Sequence, residues 1–198
     1  MSLADEIFPA ERHPDLVQTE WSKGWGYQSI GFGEAARFLT EHRASFQGSL
    51  DSVGLAVFYL QRHRVELALK ELLVAHRVKL KTVTSPHSLL ALWQACGQAL
   101  GSDGDGWRYL ESEGMELVML LHEHDRGSDA YRYPVDRDGV EHERAPYIDL
   151  AALEESVNKL VGAIDGYMAY SEQAREYEQE MQRQFELEMR DVYGEDVW

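Results

Sequence analysis

The chain has 198 residues, 44% of them hydrophobic, with one cysteine and a formal net charge of −16. That composition can bury a core and excludes global disorder; so acidic a field repels phosphate backbones, which sets aside a broad nucleic-acid binder while leaving a local basic patch open. A lone Cys96 excludes a disulfide framework and a thiolate cluster, no window approaches the length of a membrane span, and the opening ten residues lack a basic-then-apolar leader.

A reducing cytoplasm fits this cysteine usage, and the acidity reads first as solubility. In chain order, 1–32 holds Pro9, Pro14 and the run Trp21-Ser22-Lys23-Gly24-Trp25-Gly26-Tyr27. Glycines between large aromatics predict an irregular N-terminal arm packed on the domain. The same aromatics would also suit stacking on bases, the rarer use. A helical domain is expected over 33–170. It opens with a short helix over 33–46, where Ala36, Leu39 and Arg43 fall at helical spacing and Gly48-Ser49 ends it. Arg37 and His42 lie within that helix.

The chain is organised around 51–99. Asp51 or Ser52 can cap a long helix whose core face is Val53, Ala56, Val57, Leu60, Leu67, Leu72 and Val74. Gln61-Arg62-His63-Arg64 interrupts this stripe, and His63 falls on the same face, between Leu60 and Leu67. Arg62, Glu66 and Lys70 form an i,i+4 ladder, which on a solvated helix contributes a few tenths of a kcal/mol per pair. Arg77, Lys79 and Lys81 sit where the helix dipole favours cations. Ser85-Pro86-His87 is expected to open the next helix, with Leu89, Leu90, Leu92, Trp93, Cys96 and Leu100 on its buried side. A loop over 101–106 leads to a helix over 107–122.

The character changes over 125–144. Tyr131-Arg132-Tyr133-Pro134-Val135 alternates, and Asp138-Gly139 offers a tight turn, which predicts a small β-hairpin or extended loop. Helical periodicity resumes from 148 with Leu150, Leu153, Val157, Leu160, Val161, Ile164, Tyr167 and Met168. Past 170 it continues as an acidic extension, 171–198, with nine acidic and three basic residues and a thin stripe of Tyr177, Met181, Phe185, Met189 and Val192. A thin stripe on a charged helix predicts packing against one partner helix, with a solvated tail as the competing reading. The sum is all-α: an up-and-down bundle of about five helices with a long C-terminal helix.

Chemistry-bearing motifs are sparse. No phosphate-cradling glycine loop or nucleophile motif is present. His122-Glu123-His124-Asp125 offers metal-ligating types at a spacing that points them apart, and 101–112 lacks the carboxylates a calcium loop needs. No metal or other cofactor is therefore expected. His63 reads either as a satisfied core histidine or as part of a polar site with Arg62 and Arg64.

The segments Phe58-Tyr59-Leu60-Gln61-Arg62-His63-Arg64-Val65-Glu66-Leu67-Ala68-Leu69-Lys70-Glu71-Leu72-Leu73 and His87-Ser88-Leu89-Leu90-Ala91-Leu92-Trp93 resemble the HEPN superfamily, named for nucleotide-binding domains of higher eukaryotes and prokaryotes. Its members often carry a helix of the form ALELxLKALL, then H-x-L opening the next. Ala130-Tyr131-Arg132-Tyr133-Pro134 also resembles an ARYP-like segment found late in many members. The resemblance covers roughly 50–165 and implies a bundle of four or five helices that dimerises. Catalytic members are metal-independent ribonucleases with Arg-x4-6-His in a late helix, a cation and an acid–base group at the scissile phosphate. Here 148–170 holds neither Arg nor His. Arg37-x4-His42 has the spacing in an early helix, with Phe38 where a polar residue is usual, and Arg137-x4-His142 straddles the Asp138-Gly139 turn.

The leading expectation is a non-catalytic HEPN-like module, self-associating as a homodimer and binding a protein partner through its C-terminal helix. The resemblance implies a bacterial toxin–antitoxin or phage-defence setting. The alternative is a metal-independent endoribonuclease with a displaced site using Arg37 and His42, or Arg62, His63 and Arg64. RNA is possible as a substrate but disfavoured by charge. A third reading is a nucleotide or small-molecule pocket lined by His63, Arg64, His87, Trp93 and Tyr133, with Arg62 and Glu66 beside it.

Overall fold

The computed structural model describes residues 24–42, 45, 50–101 and 104–193. Among them are five α-helices: α1 Trp25–Glu41, α2 Leu50–Ala75, α3 Leu89–Leu100, α4 Asp105–His124 and α5 Leu150–Tyr193, with one 3-10 turn at Leu80–Thr82. The chain is all-α, as its periodicity predicts.

The bundle is built round α2. Between 57 and 73 no residue of this helix is exposed, because α1, α3 and α5 each pack on a different side of it. The predicted one-sided core face is corrected here: Ala56 and Val74 face solvent, whereas Val65, Ala68, Leu69 and Leu73 are buried. A helix buried all round needs apolar residues on every face, and the run from Val65 to Leu73 supplies them. Its end is a Schellman motif, with Val78 N–H donating to Leu73 O and Arg77 N–H to Val74 O. Arg77 takes the left-handed position there, at φ 60°, where glycine is usual. Capping by Asp51 or Ser52 falls outside the described side chains.

The first helix begins at Trp25 rather than at 33, taking in part of the run assigned above to an irregular arm; 1–23 lies outside the described residues. Its inner face is Ser29, Gly33, Ala36 and Thr40, all buried and all small. Small side chains bring α1 close to α2, and a Cβ on Gly33 would lie 2.8 Å from Arg64 Nε. Gly24 offers no capping side chain, so Glu71 on α2 accepts the Gly26 N–H at 3.1 Å instead.

The helix expected from Ser85-Pro86 begins at Leu89. Ser88 is its N-cap, accepting the Ala91 N–H, and Ser85 to His87 form the turn before it. The core lies where α2, α3, α4 and the first half of α5 meet; Trp93 and Trp107 pack at 4.8 Å between ring centroids. Cys96 is buried there, and burial pushes its thiol up to about 12.

The connection 125–149 is an extended loop, not a hairpin. It holds a single antiparallel bridge, Val135 to Glu141, around a turn in which Asp136 accepts the Asp138 and Val140 N–H groups and Gly139 takes φ 81°. Arg144 holds it closed, its Nε donating to Ala130 O and its Nη2 to Tyr133 O, both at 2.6 Å. Asp149 then caps α5. This helix is 44 residues long, roughly 66 Å. Leu153, Val157, Leu160, Val161 and Ile164 are buried, but beyond Ala174 every described side chain up to 190 except Met189 is exposed.

Candidate functional site

The polar residues of the central stretch meet in one buried cluster. Arg62, Glu66 and Lys70 stand one turn apart on α2, on the side facing the start of α3 and the end of α4. Arg62 Nη1 donates to Glu66 Oε2 at 2.8 Å, and Lys70 Nζ to Glu66 Oε1 at 2.7 Å. Arg62 Nη2 donates to the His87 carbonyl at 2.7 Å, and Arg62 Nε lies 3.2 Å from both the carbonyl and Oδ2 of Asp125. Asp125 Oδ1 in turn accepts the backbone N–H groups of Asp129 and Ala130, folding the chain back as α4 ends. Arg62, Glu66 and Asp125 are at most 1% exposed.

Two cations face two carboxylates, so the cluster is neutral without any histidine. Burial by itself would raise the Glu66 carboxyl. The nearby His63 ring, the Lys70 hydrogen bond and the charges of Lys70 and Arg62 outweigh it and hold this group well below the usual carboxylate range. The ladder is thus not the solvated pairing that its spacing suggests. It is a buried ion network tying α2 to the turn before α3 and to the end of α4.

His87 is where this network reaches solvent. Its side chain is 69% exposed, and Nδ1 lies 3.0 Å from Glu66 Oε1. A buried carboxylate behind an exposed imidazole fixes the ring and leaves Nε2 as its free nitrogen, one half of a proton-relay arrangement. No nucleophilic side chain is hydrogen-bonded to that ring among the described residues. His63 sits between α1 and α2, edge-on to Phe32 and stacked on Tyr59, with Nδ1 3.8 Å from Glu66. It is part-buried against aromatics, not in the apolar core.

The other candidates lie elsewhere. Arg64 points away from the cluster, donating to Asn158 Oδ1 at 2.6 Å between α1 and α5; burial lowers its pKa against the charges of Asp165, Glu154 and Glu34. Trp93 is inside the core, and Tyr133 is half-exposed on the 125–149 loop with the Arg132 guanidinium over its ring. Arg37 is tied to Glu34, and His42 stacks on Phe38 and bonds its carbonyl, so the two are engaged separately on an exposed surface. The structure therefore gathers Arg62, Glu66, His87 and the edge of His63, and leaves Arg64, Trp93, Tyr133, Arg37 and His42 dispersed. Cavities of about 470 Å³ beside Val78, Val83 and Ala91, and about 340 Å³ beside Phe58, Tyr131 and Leu153, take no residue from the predicted set.

Sequence reasoning passed over Lys70 and Asp125 as site members. The signal for Lys70 was its place between Leu69 and Leu72 in a stretch with no solvent face. Asp125 carried no such signal, since it meets Arg62 only through the fold. Among the described residues no three His, Cys, Asp or Glu side chains are grouped to hold a metal ion, and no helix is long and apolar enough to cross a membrane. Compared with family models, curated proteins and solved structures, the chain matches none.

Proposed function

We propose that this chain is a non-catalytic, HEPN-like interaction module that self-associates and holds a protein partner through the second half of α5, in a bacterial toxin–antitoxin or phage-defence setting. The observation that carries this reading is the arm itself. After Tyr170 the helix runs on for about six turns with Tyr177 68%, Met181 48% and Phe185 56% exposed on one side. Large apolar side chains aligned in water cost free energy unless something covers them, and such a stripe is how a helix seats in a partner. Self-association draws support from a second stripe, Tyr27, Ile30 and Phe38 on the outer face of α1. The buried, charge-neutral cluster supports a structural role for Arg62, Glu66 and Lys70, and the separate engagement of Arg37 and His42 weighs against a ribonuclease site there.

The test is photo-cross-linking in source cells from a benzoylphenylalanine placed at 177, 181 or 185, against 172, 176 or 183 on the back of the helix. Protein adducts confined to the first set are expected, together with a dimer in sedimentation that Ile30→Glu dissociates. Adducts without position dependence, from a protein that sediments as a strict monomer, would refute the reading. RNA cleavage without added metal, abolished by His42→Ala or His63→Ala, would replace it with the enzyme.

A further inference from the structure

We infer that the partner seated on this arm presents a lysine- or arginine-flanked apolar helix face. The inference rests on reading the arm as a docking helix, and adds the chemistry of what docks.

The stripe is Tyr170, Ala174, Tyr177, Met181, Phe185 and Met189, with side chains three or four residues apart; Ala174 and Met189 are half-buried and the others are exposed. Its borders are Glu178 and Gln182 on one side and Glu180 and Gln184 on the other, all exposed. Glu188 stands within the stripe, one turn after Gln184 and Phe185. Two of the arm's three arginines fall on the far side: Arg183 lies two residues from Met181 and Arg190 two from 192, which is about 200° round the helix, whereas Arg175, at the start of the arm, stands just outside Gln182. Arg183 is moreover paired with Glu180. From Tyr177 on, carboxylates and amides thus stand directly beside the docking face, with one carboxylate inside it.

A second copy of this face would set glutamates against glutamates in either direction, which costs free energy where the flanks are desolvated. The spacing also argues against a zipper of two copies. Tyr170 to Met181 spans eleven residues in three steps, longer than the 3.5-residue recurrence that a left-handed coiled coil needs. An anionic membrane surface is repelled by the same field. A helix with Lys or Arg beside its apolar seam fits this face: its cations meet Glu178 and Glu188, which have no ion-pair partner among the described residues, while Glu180 already has Arg183.

The full chain is titrated with two synthetic amphipathic peptides of about 25 residues, matching the arm's length. They share a leucine seam and differ only in carrying lysine or glutamate beside it. Preferential binding of the lysine peptide is expected. It should weaken with salt between about 0.05 and 0.5 M, and fall about tenfold or more in the charge-preserving variant Met181→Ser/Phe185→Ser. Equal or better binding of the glutamate peptide overturns the inference, as does lysine-peptide binding that the double variant leaves intact, since that is attraction to the acidic molecule at large. No binding of either peptide at about 100 μM, a contact too weak to hold a partner, also overturns it. Stripe-specific cross-links that persist beside a negative peptide result would leave the docking reading standing and remove only the partner's charge. Loss of both would remove the docking reading too.

Discussion

Glu66 is the residue on which the buried network depends. It accepts from Arg62 and Lys70 and lies beside both His63 and His87, with no exposed surface of its own. Glu66→Gln leaves Arg62 and Lys70 facing a neutral amide in a dry site, and removing one partner of a buried pair typically costs about 3–5 kcal/mol. A large drop in the urea midpoint is expected, against a small one for His87→Ala, whose side chain is mostly in solvent. The pH dependence follows from the depressed carboxyl. Its folded-state pKa lies below the ordinary 4.5, so its contribution is complete above about pH 4.5 and is lost as pH falls through the acid range. Stability measured from pH 7 down to pH 3 should fall less steeply in Glu66→Gln than in the parent chain. The spacing of Arg62, Glu66 and Lys70 was legible in the sequence, and so was their pairing. Their burial was not, because it depends on α3 and α4 arriving from elsewhere in the chain, and Asp125 joins them only at that point.

Elements were legible where periodicity was strong and ambiguous where glycine or proline marked a boundary. Trp25-Gly26-Tyr27 looked irregular because glycines usually break helices, yet α1 starts there with Glu71 from α2 accepting its Gly26 N–H. Pro86 looked like a first-turn residue, but Ser88, two positions on, has the side chain that caps. Helical glycines divide in the same way, by their surroundings. A Cβ at Gly114 would lie 2.3 Å from Leu160 Cδ1 and 2.9 Å from the Trp93 ring, whereas Gly162 on α5 has nothing within 4 Å. Gly114→Ala is therefore expected to destabilise by about 1–3 kcal/mol through overpacking, in spite of its gain in helix propensity. Gly162→Ala should stabilise by up to about 1 kcal/mol. Chemical denaturation of the two variants checks the opposite signs.

For the whole molecule, the bundle and the arm are energetically separate. The core draws on α2, α3, α4 and α5 up to Met168, and the described side chains beyond Ala174 bury almost nothing. Ending the chain after Ser171 should leave the midpoint of thermal unfolding within a few degrees of the full chain, since few apolar contacts are lost. A fall of ten degrees or more would mean that the arm folds back on the bundle. The fold class was readable because amphipathic periodicity runs through nearly every segment. What the arm is for was less readable, because a stripe in a sequence looks the same whether it is covered by its own chain or by another.

The continuity of α5 has a mechanical side. Between Tyr167 and Tyr193 it has neither proline nor glycine, the residues at which helices commonly bend. The arm is therefore a lever without a hinge. Whatever seats on it is carried at a fixed angle, up to roughly 34 Å beyond the bundle. A twist applied at the far end is delivered straight to Val157, Leu160 and Ile164 in the core.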